Sequence, residues 1–371
     1  MAAEKHPWYA LNQPEGIPSP ALLVYPQRIA RNIAEMVRVA GDPLRLRPHI
    51  KTHKTAEIVQ MQMEAGIRKF KCATLAEADL LGRCGAPDVL LAYQPVGPNQ
   101  DRFLNLQKAY PQTRFAALAD HPAVVDALHR KAKKARAFIR LFVDLNVGMN
   151  RTGIVPGPEA EALYKQIAGL EGLEACGLHA YDGHIRHTDP VARQAACDEA
   201  FAPVAALRQR LEADGYPVPV IIAGGSPTFP MHAGREGVEL SPGTTLLWDA
   251  RYGSLFADMD FLPAAVLLTR VISHPGPGTY CLDLGHKAIA PEMEFPRVAL
   301  MGLETCVQTG QSEEHLVLQA IEDPGLEPGQ PVYGIPMHVC PTVPKYRWLL
   351  TVENGIVTGS WEVAARDYTF Q

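Results

Sequence analysis

The chain has 371 residues, 47% of them hydrophobic and 20% charged, with a formal net charge of −5. That composition excludes a disordered chain, and without a basic block or an apolar run near ~20 residues neither nucleic acid nor a membrane is an expected partner. Seven scattered cysteines without a Cys-x-x-Cys pair, and an N-terminus without a charged segment followed by an apolar one, lead to a cytoplasmic enzyme with reduced thiols as the expectation.

Taken at about 150 residues per domain, the length suits a barrel with a smaller companion. From about residue 20 to 250, short β-branched or apolar runs alternate with stretches of helical spacing. The runs cover 21–25, 44–49, 69–73, 89–93, 115–118, 138–145, 177–181 and 220–223. Helices are expected over 27–39, where Ile29, Ile33, Met36 and Val37 share one face, and over 55–65 and 74–83. The last of these opens on Thr74 with Glu77 three residues on, a capping box. Eight strand–helix pairs predict a (β/α)8 TIM-type barrel over 18–253. The rival doubly wound sheet needs a glycine-rich turn after its first strand, where this chain has Tyr25-Pro26-Gln27-Arg28. After about residue 255 the segments become short and alternating: 265–273, 278–284, 315–321, 330–333 and 348–361, with Asn354-Gly355 as a hairpin turn. They predict a mostly-β domain over 254–371, with residues 1–17 packing on it.

Five groups carry chemistry. Arg47, His49 and Lys51 fall on one face of the second expected strand, at its C-terminal end, where barrel enzymes place catalytic groups. Three buried cations there call for an anion, and a lysine depressed in pKa by burial and cationic neighbours is the kind that forms a Schiff base. Gly224, Gly225 and Ser226 follow another strand and suit close backbone approach to a phosphate. Arg151, in the run Asp144–Gly153, can donate to an anion or phenolate. His179, Tyr181, His184 and His187 crowd nine residues, a pattern for metal binding or proton transfer. His338 and Cys340, expected on one strand, face the same way, so both can reach one ion with positions left open. Against these stand plainer readings: a solvated basic loop, a simple Gly-Gly turn, a surface ion pair, loop histidines and a structural cysteine.

The strings RPHIKTHK, AYDGH, AGGSPT, SPGT, DLGHK, HVCPT and WEVAARD together resemble the D-threonine aldolase and D-serine dehydratase family. The resemblance runs from about residue 18 to the C-terminus, and its specific part is RPHxK paired with the late His-x-Cys. It implies an alanine-racemase-type barrel (fold type III) that binds pyridoxal 5′-phosphate, followed by a β domain with a divalent metal site. By resemblance, Lys51 is the Schiff-base lysine and Lys54 a second lysine without that role. Arg151 matches the arginine at the cofactor's ring oxygen, Tyr181 a tyrosine of the pocket, and Gly224, Gly225 and Ser226 the phosphate loop. Tyr252 is expected near the phosphate, and His338 and Cys340 as metal ligands.

A thiolate favours zinc, whereas the His-x-Asp of well-known D-threonine aldolases suits manganese or magnesium. RPHxKTHK and His-x-Cys read towards the dehydratases; AYxGxxxH, DxGxK and WExxAR read towards the aldolases, the side favoured here. The expected reaction is cleavage of a D-3-hydroxy-α-amino acid such as D-threonine to glycine and an aldehyde, with His187 or His184 as base. The alternative is elimination to a keto acid and ammonia, with Lys51 removing the α-proton. A racemase leaves the metal pair without a role, and a non-catalytic cofactor binder leaves the whole β domain without one. By resemblance, a homodimer is expected.

Overall fold

A computed structural model describes residues 7–368. Residues 1–6 and 369–371, which end the expected domain ranges, lie outside the described residues. The chain divides into two units: Met36–Lys51 with Val59–Gly243, and residues 7–35 with Thr52–Ile58 and Thr244–Arg366.

The first expected barrel strand is real but belongs elsewhere. β1 (Ala21–Val24) sits in the sheet of the second unit, antiparallel to one strand there and parallel to another. Its four residues are all buried, so composition alone could not tell it from a barrel strand.

The barrel unit is a parallel sheet of seven strands in sequential order: β2 (Lys69–Cys72), β3 (Asp88–Leu91), β4 (Arg114–Ala119), β5 (Ile139–Leu145), β6 (Leu173–Ala180), β7 (Ile221–Ala223) and β8 (Val238–Leu240). β8 was not expected; three residues around a buried Glu239 give too little periodicity to see. Leu90, Ala116, Leu118, Phe142, Cys176 and Ile222 form the core within. Helices Pro26–Ala40, Ala56–Glu64 and Leu75–Arg83 stand where the spacing put them, and Thr74 Oγ1 accepts the Glu77 amide at 3.1 Å.

The second expected strand, 44–49, is not a regular strand. Pro43–Arg45 is a 3-10 turn, because Pro43 and the Asp42 cap favour a tight start. The residues beyond it still close the ring, bridging Leu46 to Leu240 of β8 and His49 to Lys71 of β2. The amides of Arg47 and His49 donate to the carbonyls of Leu240 and Pro242, both at 2.8 Å, and Lys71 N donates to Pro48 O at 2.9 Å.

Arg47 is almost wholly buried, and its compensation comes from the protein itself. Its Nη1 lies 2.5 Å from Asp88 and its Nε 2.6 Å from Glu239, which also takes Lys69. The expected anion is therefore two carboxylates at the barrel's lower end, and Arg47 serves closure. Removing one partner of a buried ion pair leaves uncompensated charge, at about 3–5 kcal/mol. Arg47→Ala should lower the unfolding free energy by about that much, read from a urea titration; a change below about 1 kcal/mol would contradict this role.

The other unit is a nine-stranded sheet. It contains β9 (Ala265–Gly276), β10 (Thr279–Leu282), β11 (Val298–Leu300), β12 (Cys306–Gln311), β13 (Leu316–Ala320), β14 (Pro331–Pro336), β15 (Trp348–Glu353) and β16 (Ile356–Glu362). β1 lies between β9 and β15, and β14 pairs with β9 and β11. Asn354 and Gly355 have φ of 50° and 77°, the left-handed pair that a two-residue hairpin between β15 and β16 requires. Leu11, Leu23, Tyr25 and Tyr333 share one core cluster here, with Leu11 N donating to the Tyr333 hydroxyl at 3.1 Å.

Candidate active site

Lys51 stands in a 3-10 turn, Ile50–Thr52, just past the closing segment, and its amide donates to His49 Nδ1 at 3.2 Å. It is therefore not the third residue of an alternating strand face, since the turn redirects it. Its side chain still reaches a cavity of about 220 Å³ at the C-terminal ends of the barrel strands, shared with His49, Lys71, Asp144, Arg151 and Tyr181.

Tyr181, directly after β6, is the centre of this cavity's electrostatics. Arg151 Cζ lies 5.0 Å from its ring centroid, Lys71 Nζ 5.5 Å and Lys51 Nζ 6.0 Å. Arg151 is held by a tight loop in which Asn146 Oδ1 accepts the amides of Gly148 and Asn150, at 3.1 and 3.0 Å. Neither Lys51 Nζ nor the Arg151 guanidinium makes a hydrogen bond or ion pair among the described residues.

The carboxylate on the wall, Asp144, is engaged: its Oδ1 lies 2.6 Å from His179 Nδ1. His179 Nε2 in turn lies 3.5 Å from Lys71 Nζ. Burial lowers the pKa of His179 against the pull of Asp144, so the ring is neutral. Burial, with Lys51 beside it, draws the Lys71 pKa down to about 7. Sequence reasoning passed over Lys71. The available signal was a lysine inside a four-residue parallel strand that should be apolar throughout. Three cations around one aromatic ring, with the nearby carboxylate taken by His179, fit a planar anionic group such as pyridoxal phosphate.

The glycine loop follows β7. Gly224 has φ +80°, and a Cβ there would lie 2.9 Å from the Phe229 Cα. At Gly225 a Cβ would come within 3.1 Å of the Tyr181 ring. The Gly225 amide donates to Thr228 Oγ1 at 2.8 Å, and Ser226 Oγ accepts the Gly243 amide at 3.1 Å. Thr228 donates to Asp182 at 2.7 Å, and Asp182 also meets His232 Nε2 at 2.8 Å. Gly224→Ala forces a side chain into left-handed backbone against Phe229 and should cost about 1–3 kcal/mol. A urea titration checks this, and unchanged stability would show that the turn relaxes freely.

Asp182, Cys197 and His232 are buried and close enough to suggest a metal site. Their hydrogen bonds oppose it. Arg235 Nε donates to His232 Nδ1 at 3.1 Å, which leaves Nε2 to carry the proton given to Asp182. Burial, with Asp182 nearby, pushes the Cys197 thiol up to about 12. The cluster is a buried brace beneath the glycine loop.

In the β unit, β14 ends at Pro336, so His338 and Cys340 lie on the irregular segment after it, not on a strand. The alternation survives because Val339 is fully buried and its amide donates to Asp249 Oδ2 at 3.2 Å. The side chains of His338 and Cys340 hydrogen-bond to each other. His338 Nδ1 lies 2.6 Å from Glu292 Oε1. Burial lowers the His338 pKa, but Cys340, Glu292 and Asp249 outweigh it and carry the pKa up to about 9. Cys340 Sγ lies 3.1 Å from Thr52 Oγ1 and 3.4 Å from Thr244 Oγ1. Among the described residues no third His, Cys, Asp or Glu joins the pair within 4.8 Å. An imidazole and a thiol, with hydroxyls around the sulfur and a carboxylate on the imidazole, fit a borderline divalent ion that keeps open positions. The same Asp249 carboxylate accepts the Tyr252 amide through its Oδ1 at 2.9 Å. His184 and His187 are exposed on their loop and do not line the cavity; the His187 carbonyl accepts from Arg193. The structure thus brings together Lys51, Arg151 and Tyr181 in one unit and His338 and Cys340 in the other.

A family model described as alanine racemase, N-terminal domain, matches residues 24–250, and one described as putative serine dehydratase domain matches 264–352. The D-threonine aldolase of Arthrobacter sp. is 29% identical, over 87% of this chain and 86% of its own length. The 3-hydroxy-D-aspartate aldolase of Paracoccus denitrificans (strain Pd 1222) is 28% identical, over 94% and 92%. The crystal structure of D-threonine aldolase from Filomicrobium marinum matches with a TM-score of 0.88 at 27% identity, covering 96% of this chain and 97% of that one. With the first family model spanning more than half of its length, the chain belongs to the alanine racemase N-terminal-domain family, as a pyridoxal phosphate-dependent lyase of fold type III.

Proposed function

We propose that this protein is a pyridoxal phosphate- and divalent-metal-dependent lyase of the D-threonine aldolase type, acting on D-3-hydroxy-α-amino acids. The observation that carries the reading is the cation-walled cavity around Tyr181 in a chain that also presents the His338–Cys340 pair. When bound, the cofactor supplies an electron sink for charge at the substrate's α-carbon and the metal a Lewis acid for its β-hydroxyl. Lys51 offers the amine that holds the cofactor, and Arg151 and Tyr181 orient the ring. Gly224, Gly225 and Ser226 shape the loop for the phosphate, with Tyr252 assigned to the same end. His338 and Cys340 hold the ion, zinc by the softness of the thiolate. Cα–Cβ cleavage needs a base at the β-hydroxyl, the role assigned by sequence to His187. Elimination needs Lys51 at the α-proton and departure of the β-hydroxyl as water, with the assistance of the metal held by His338 and Cys340.

The thiol at position 340, in place of a carboxylate, favours the second reading, a D-serine dehydratase type elimination. Incubation with D-threonine and with D-serine separates the two. Glycine and an aldehyde from D-threonine are the expected products, and a keto acid with ammonia as the sole products would overturn the aldolase reading. The reading also carries a homodimer, which sedimentation measures. Among the described residues no helix is long and apolar enough to cross a membrane.

A further inference from the structure

Lys71 is a basic residue of the cavity wall that the proposed chemistry leaves without a task. It is the third residue of β2 and only 3% exposed, yet its Nζ faces the cavity, 5.5 Å from the Tyr181 ring centroid. Its close polar neighbour is His179 Nε2 at 3.5 Å. Because His179 gives its Nδ1 proton to Asp144, Nε2 is an acceptor, and the lysine donates into it. No carboxylate pairs with Lys71 among the described residues.

The charges around it are divided. Lys51 and Arg47 oppose a proton on Nζ, whereas Asp144 and Asp182 favour one. Arg151 faces the same ring at 5.0 Å and adds to the positive side, and His49 lines the same cavity. A buried amine without a counter-ion is destabilised in its charged form. An anion entering the cavity supplies the missing counter-charge.

We propose that Lys71 is a charge-regulating residue of the cofactor cavity, one that takes up a proton when a phosphate-bearing pyridoxal ligand enters, so that cofactor binding is coupled to proton uptake. The inference rests on the reading of this cavity as the cofactor site. The sign follows from the free protein. With its pKa near 7, Lys71 is largely neutral above that pH, and a bound anion moves the pKa back towards the ordinary lysine value of 10.5. Between those limits binding takes up as much as one proton, and affinity falls as pH rises, by as much as tenfold per pH unit.

The probe is 4′-deoxypyridoxine 5′-phosphate, which lacks the aldehyde and cannot react with any lysine. Its binding to the cofactor-free protein is measured by calorimetry at pH 8 in buffers of different ionisation enthalpy, for the natural protein, Lys71→Met and Lys71→Arg. The ligand's own titration cancels in the comparison. The natural protein should take up close to one proton more than either variant. Lys71→Arg, permanently charged, should also bind more tightly than Lys71→Met and with the flatter pH dependence. If Lys71→Met does not fold, Lys71→Arg carries the test alone. Equal proton counts in natural and variant proteins would overturn the proposal while leaving the cofactor reading intact. Failure of the natural protein to bind the probe at all would overturn both.

Discussion

Lys51→Ala should lose both the visible absorbance of bound cofactor and all measurable lyase turnover, while Lys54→Ala keeps both. The two lysines are three residues apart in one motif, and their surroundings separate them. Lys51 Nζ has no hydrogen bond or ion pair among the described residues and stands 6.0 Å from the Tyr181 centroid, on the wall of the cavity. Lys54 has φ +53° and turns its ammonium to the Ala365 carbonyl at 3.3 Å, within the β unit to which both residues belong. Loss of that hydrogen bond costs about 1 kcal/mol of stability. Losing a proton-transfer group alone costs about 10²–10⁴-fold in rate, and Lys51 also supplies the cofactor's covalent anchor, so the fall should exceed that range. Absorbance spectra of the two purified variants decide the matter without an activity assay. Retained absorbance in Lys51→Ala with loss in Lys54→Ala would show that the turn at Ile50–Thr52 presents the wrong amine.

What the sequence discloses about this fold depends on how local each signal is. Helix Leu75–Arg83 is legible because its cap, its acidic third residue and its apolar face all lie within ten residues. The Asn354-Gly355 turn is legible because its backbone conformation admits few other residues. β1 is misassigned because four buried apolar residues suit any central strand, and its partners lie more than 240 residues away. Residues 44–49 are read as a strand because their alternation is genuine, although Pro43 and the demands of closure make a turn with two bridges. The same limit governs the site. Lys51, Arg151 and Tyr181 come from three separated motifs, yet each motif is anomalous on its own. Lys71 and Asp144 have no local anomaly as strong, and their meaning comes from His179 lying between them. Arg47 shows the reverse, a strong local signal whose partners, Asp88 and Glu239, prove to be structural.

Metal removal should abolish turnover and leave the cofactor's visible absorbance unchanged, because the proposed ligands lie in the β unit whereas Lys51, Arg151, Tyr181 and the glycine loop lie in the barrel unit. His338 and Cys340 face each other across a single buried residue, Val339, which the Asp249 carboxylate fixes through its amide. Thr52 and Thr244 both lie within hydrogen-bonding reach of the Cys340 sulfur, and Glu292 holds the His338 imidazole from its far side. Such outer partners fix a ligand's orientation, and loss of one typically weakens metal affinity by about 10–100-fold. Glu292→Gln should therefore need more added zinc for half-maximal activity, with the maximal rate nearly retained. Cys340→Ala removes a ligand outright and should be inactive without added metal. Cys340→Asp exchanges a soft donor for a hard one, so activity should return preferentially with manganese. The absorbance arm guards against misreading a folding defect, since a collapsed variant loses cofactor as well as rate. Full turnover by chelated protein, or by Cys340→Ala without added metal, would sink the metal-lyase reading. The barrel cavity would then stand alone, and a racemase would become the reaction to test, by loss of optical rotation in D-alanine.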